Sequence, residues 1–124
     1  MPGGVRQACL VVGRPRGVEA SDRPAEGLRG LQERHESIGE VRGKGLFWGI
    51  ELVRDRETRE PLVPFNAAGA ELAPIGAIMK AAMERGLYLM THWNVIMVCP
   101  PLTITREELD EGLGVLDEVL SLAD

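Results

Sequence analysis

Few side chains in this sequence could carry chemistry. The lysines are Lys44 and Lys80, the histidines His35 and His92, and the cysteines Cys9 and Cys99. No cysteines or histidines stand at ligand spacing, so a zinc site is not expected. Gly43-Lys44-Gly45 suggests a phosphate loop, but the next glycine is Gly49 and the segment opens a strand, so a backbone turn is the better reading. There is no Gly-x-Ser-x-Gly elbow to present a nucleophilic serine. Glu51 falls in a strand and is expected to face solvent or to pair with an arginine such as Arg54. Cys99, at a strand end before Pro100-Pro101, reads as a buried, inert thiol, and Trp48 reads as core. That leaves His92, Trp93 and Asn94, polar-tipped groups at a turn between two strands. Such groups pack or cap more often than they bind, yet they are the local candidates for contact with a ligand.

The elements that would position these residues follow from periodicity. Ser21 or Asp22 can cap a first helix, with Pro24 in its first turn and Leu28 and Leu31 on one face, running through His35. Gly27 and Gly30 weaken it by about 1 kcal/mol each relative to alanine. Ile38–Val41 reads as a short strand and Gly43-Lys44-Gly45 as a turn or bulge. Leu46–Val53 follows as a strand with Leu46, Trp48, Ile50 and Leu52 on one face. Arg54–Glu60 is a charged hairpin tip, and Pro61 and Pro64 bracket an extended piece ending near Phe65. A second helix is predicted from Pro74 to Arg85, with Ile75, Ile78, Met79 and Ala82 as its stripe and Gly86 as a left-handed terminator. Leu87–Met90 and Val95–Val98 read as strands around the turn Thr91–Asn94. The last helix opens on a capping box, Thr105 with Glu108, and buries Leu109, Leu113, Leu116 and Leu120. The fold class is therefore α/β of the α+β type, a small mixed or antiparallel sheet with helices packed on one face.

The chain has 124 residues, 44% hydrophobic and 27% charged, which suits one domain with one core. Residues 1–20 stand apart as an expected poorly ordered segment, glycine-rich and arginine-rich around the apolar run Ala8–Val12; residues 21–124 form the domain. A net charge of −5 leaves no basic excess for phosphates, so nucleic-acid binding is not expected. No apolar run reaches the roughly eighteen residues of a membrane span. Ala8–Gly13 is too short for a signal-peptide core, and no cleavage-like Ala-x-Ala follows it. Two cysteines so far apart suggest a reducing, cytoplasmic compartment rather than a disulfide framework.

Three stretches resemble class III aminotransferases: Ile38-Gly39-Glu40-Val41-Arg42-Gly43-Lys44-Gly45-Leu46-Phe47-Trp48-Gly49-Ile50-Glu51-Leu52, then Met83-Glu84-Arg85-Gly86-Leu87-Tyr88, then Cys99-Pro100-Pro101-Leu102-Thr103-Ile104-Thr105. They occur in the family's order, and with the spacing of the elements the likeness covers roughly residues 25–122; residues 1–20 do not resemble it. The resemblance implies the small C-terminal domain of an enzyme that uses pyridoxal phosphate (PLP) to move an amino group from a donor to a 2-oxo acid. It implies that the Schiff-base lysine and the acid facing the pyridinium nitrogen belong to a large PLP-binding partner domain. Neither Lys44 nor Lys80 matches the catalytic position, so no catalytic residue and no bound cofactor are expected in this chain. The small domain's usual contribution is one wall of the substrate pocket. Relatives that grip an α-carboxylate carry an arginine where this chain has Met97, and those acting on ω-amino substrates carry one where it has Met90. Methionine cannot replace a bidentate guanidinium. The expected substrate-facing residues are thus Met90, His92, Trp93, Asn94 and Met97, and the expected donor is an amine or ω-amino compound.

Two other readings accompany that of an enzyme fragment: a stand-alone binding or regulatory module with the same fold, and a truncated or frame-shifted product. An isolated small domain would also expose an apolar surface near Leu46–Ile50 or the first helix, and so self-associate into a homo-oligomer.

Overall fold

A computed structural model describes residues 22–124; the expected strand at Ala8–Val12 and the cap at Ser21 lie outside the described residues. Helix α1 spans Asp22–Arg34, strand β1 Ile38–Lys44, β2 Phe47–Asp55, β3 Glu60–Pro61, helix α2 Ala73–Glu84, β4 Met90–His92, β5 Val95–Val98 and helix α3 Arg106–Leu120. Every pairing is antiparallel. The sheet runs β1-β2-β5-β4, with β3 on the far end of β2.

Local signals set the helix ends. At the start of α3 the Glu108 amide donates to Thr105 Oγ1 at 3.1 Å, and the Thr105 amide donates to the Glu108 carboxylate at 3.0 Å. Two free N–H groups are thereby satisfied reciprocally. At the end of α2 the Leu87 amide donates to Ala82 O at 2.9 Å and the Gly86 amide to Met83 O at 3.0 Å. Gly86 takes φ 83°, the left-handed turn that lets the chain leave the helix.

One face of the sheet carries the core. Trp48, Ile50, Leu52 and Ile96 are buried from the strands, and Leu28, Leu31, Ile78, Leu109, Leu113, Leu116 and Leu120 from the helices. Packing on this one side confirms the expected layering. The chain departs from the sequence expectation at two places. β1 continues to Lys44, and the turn falls on Gly45-Leu46, with Gly45 at φ 60°. Leu46 therefore leaves the strand stripe, and Gly43 lies inside the ladder. β4 begins only at Met90 and includes Thr91 and His92, so the turn shrinks to Trp93-Asn94. The apolar run Leu87–Leu89 has no strand partner; Leu89 is buried in the core instead, and Leu87 packs against it.

Gly43 faces Trp48 across the hairpin, and a β-carbon there would stand 2.6 Å from the Trp48 Cα. Backbone cannot yield as a side-chain tip can, so Gly43→Ala should cost about 1–3 kcal/mol, seen as a lower urea midpoint at unchanged slope. Gly76, inside α2, has nothing within 4 Å of the same position. Gly76→Ala should therefore raise the midpoint, by up to about 1 kcal/mol.

Candidate functional site

The β4–β5 hairpin holds all five expected site residues, but the fold divides them. Met90 and Met97 are cross-strand partners. Both line a cleft of about 330 Å³ between this end of the hairpin, Pro100-Pro101 and α3. The cleft is apolar, and among the described residues its only charged lining residue is Glu108, already engaged in the helix cap. Tyr88 and Met90 are exposed, at 70% and 62%. Cys99 also lines the cleft and is exposed, not buried as expected. Partial desolvation of the sulfur within the cleft still pushes the thiol pKa up, against a backbone hydrogen bond from Trp48 that lowers it.

His92, Trp93 and Asn94 occupy the other end of the hairpin. Trp93 takes φ 52°, a conformation that costs a bulky residue of order 1–3 kcal/mol. Its ring lies 4.4 Å from that of Phe65 and 4.1 Å from that of His92, centroid to centroid, which offsets part of that strain. Asn94 stands where β2 passes from one partner to the next. Its carbonyl accepts from the Leu52 amide at 2.8 Å, its side-chain amide donates to Leu52 O at 3.0 Å, and the Leu62 amide donates to the same oxygen at 3.1 Å. Thus Met90 and Met97 face a shared cleft, exposed His92 and Phe65 flank a half-buried Trp93, and Asn94, just before β5, bonds β2 beside the place where Leu62 takes over.

Other expected pairings resolve differently. Glu51 accepts from Arg42 at 2.7 Å, diagonally across the β1–β2 ladder, and Arg42 also reaches Glu40 at 3.1 Å. Arg54 donates to Leu62 O instead. The apolar face of α1 is not available as a surface, because Leu28 and Leu31 are buried; in Leu46–Ile50 the exposed large side chain is Phe47. Lys44 and Lys80 are exposed on β1 and α2, and neither lines the cleft.

Sequence reasoning missed one cluster. His35 is buried, its Nδ1 2.5 Å from Asp124 Oδ2 and its Nε2 2.7 Å from Asp117 Oδ1. The Ser37 hydroxyl and amide both donate to Asp124 Oδ1, at 2.7 and 3.1 Å. Serine, acid and imidazole are present, but the serine bonds the acid and not the imidazole, so it is not activated as a nucleophile. Burial opposes the charge on His35, yet the hydrogen bonds to Asp124 and Asp117 outweigh it and raise the histidine pKa. The bond to His35 holds Asp117 low against burial, with help from Arg34. Burial works against Asp124 as well, and Ser37 and His35 bring it down.

Two predictions follow from these contacts. Asn94→Ala removes one of two bonds to Leu52 O, so thermal unfolding should show a loss of about 1 kcal/mol rather than the cost of an orphaned carbonyl. A raised histidine pKa stabilises below its unfolded value, about 6.5, and the gain is lost as pH climbs through the folded value. Lowered carboxylates stabilise above about 4, and that gain is lost as pH falls through theirs. The contribution of this cluster should therefore peak between about pH 4 and 6.5; in His35→Gln, denaturant midpoints measured across pH should lose the decline on the alkaline side.

The family described as aminotransferase class-III matches residues 18–120. The chain is 42% identical over 98 residues to an ethanolamine-phosphate phospho-lyase homologue of Caenorhabditis elegans, covering 77% of this chain and 19% of the relative. It is 38% identical over 106 residues to a taurine–pyruvate aminotransferase of Bilophila wadsworthia, covering 83% and 22%. Among solved structures, taurine:2-oxoglutarate aminotransferase of Bifidobacterium kashiwanohense, in complex with PLP and glutamate, superposes with a TM-score of 0.76 at 34% identity, over 86% of this chain and 23% of that one. The chain spans about a fifth of the length of the relatives it matches. With the matched region running from before α1 to the end of α3, over the one-sided antiparallel sheet, the chain belongs to the class III aminotransferases.

Proposed function

We propose that this chain acts as the small domain of a PLP-dependent transaminase and supplies one wall of its substrate pocket. The reaction moves an amino group from an amine or ω-amino donor to a 2-oxo acid. PLP, held by a lysine of the large domain, supplies the electron sink when bound; the residues described here bind and orient. The observation that carries the reading is the pairing of Met90 with Met97 in a cleft that, among the described residues, no arginine, lysine or histidine lines. An apolar wall offers nothing to an α-carboxylate, whose desolvation would go uncompensated. Donors with an uncharged or distant second end are favoured. In this reading His92 and Trp93 stand at the rim and Asn94 positions them. The enzyme works in the cytoplasm as an oligomer, with the large domain as the partner of this one.

The taurine aminotransferases among the relatives support an amino donor without an α-carboxylate. The phospho-lyase homologue marks a different reaction in the same family. Kinetics on the protein that joins this domain to its large domain test the proposal. Met97→Arg should raise kcat/KM for an α-amino acid relative to an amine by about tenfold or more, the worth of one well-placed guanidinium. An unmoved preference would remove the wall from the pocket. Binding of the large domain without turnover would favour a non-catalytic module.

A further inference from the structure

The cluster around His35 lies apart from the cleft and ties together three distant pieces of chain. His35 follows α1 directly, Ser37 precedes β1, and Asp117 and Asp124 come from α3 and the segment beyond it. A neutral imidazole has one N–H and one lone pair. Here both ring nitrogens face carboxylate oxygens within 2.7 Å. Only the imidazolium can donate to both; a neutral ring would turn a lone pair toward one carboxylate. The surrounding groups do not remove this conflict. Arg34 reaches Asp117 at 3.3 Å. Arg56 donates to the carbonyls of Gln32 and His35, at 2.8 and 2.6 Å, and bonds neither acid. Ser37 donates to Asp124 alone.

The two carboxylates differ in how firmly they are held. Asp117 sits within α3, anchored by its buried neighbours Leu116 and Val119. Asp124 lies past the helix, where Ser121–Asp124 makes two turn-type backbone bonds, Leu122 N to Val119 O and Ala123 N to Leu120 O. Leu122 is exposed. When the ring can serve only one acid, the anchored one keeps it. We propose that His35 is a proton-operated latch: the imidazolium pins the segment Ser121–Asp124 against α1 and β1, and loss of its proton releases that segment while the domain stays folded.

Nuclear magnetic resonance on the full 124-residue chain tests this. The His35 ring proton, assigned with a His92→Gln variant, should titrate above the ordinary histidine midpoint of about 6.5. The midpoint should fall in both Asp124→Ala and Asp117→Asn. Across the same transition the backbone order parameter at Ala123 should drop from near 0.85 toward 0.6 or below, roughly the rigid and flexible limits, while residues of β2 and β5 stay rigid. Asp124→Ala should leave Ala123 mobile at every pH. A midpoint that neither variant moves, or an Ala123 order parameter flat through the His35 transition, would overturn the latch. Loss of order in β2 and β5 together with the tail would also overturn it, because that is global unfolding. None of these outcomes depends on the cofactor or on the proposed reaction.

Discussion

A strand bonded along both edges cannot slip by a residue without moving every side chain on it to the wrong face. β2 is held in that way. Its one edge is taken by β1, and its other by β5 and then β3. With Trp48, Ile50 and Leu52 committed to the core, the registers of β1 and β5 are fixed, and through β5 that of β4. Met90 comes to lie opposite Met97 for this reason alone. The change of partner on one edge is the weak point of such a strand, and Asn94 bridges it by lending a side-chain amide to the ladder.

The cleft is a consequence of the same register. β5 ends at Val98, Pro100 and Pro101 cannot extend the ladder, and α3 packs across the gap that the strand end leaves. Among the described residues several cations are committed elsewhere, Arg42 on Glu51 and Glu40, Arg23 on Asp110, Arg34 on Asp117. What the described residues leave around the cleft is a wall of thioethers, aliphatic carbons and the Tyr88 ring.

Local signals were legible in the sequence, and pairings across the chain were not. The Thr105–Glu108 box, the left-handed Gly86 and the leucine stripe of α3 each involve residues a few positions apart, so the spacing alone carried them. The start of β4 was misplaced because Leu87–Leu89 is apolar enough for a strand, whereas Thr91 and His92 pair only because β5 presents partners to them. For Glu51 the sequence offers solvent or a nearby arginine such as Arg54; the hairpin register brings Arg42 instead. Cys99 read as buried because strand-end cysteines usually are, and the gap beside Pro100 leaves it open. The two acids on His35 lie 82 and 89 positions away, beyond any local pattern. The family resemblance marked Met90 and Met97 separately, as the arginine positions of two kinds of relative; their pairing, and the place of His92 and Trp93 at the opposite end of the hairpin, come from the strand register.

Among the described residues the outer edges of β1 and β4 have no strand partner, and each is unsuited to recruiting a foreign strand. On one side β4 offers three residues, too few to template a stable ladder. On the other, β1 carries Glu40, Arg42 and Lys44 on alternate positions, a row of charges that an incoming backbone would have to desolvate. The exposed aromatics and methionines could still draw copies together through side chains. Fibrillar, cross-strand association is therefore the route that these two margins discourage.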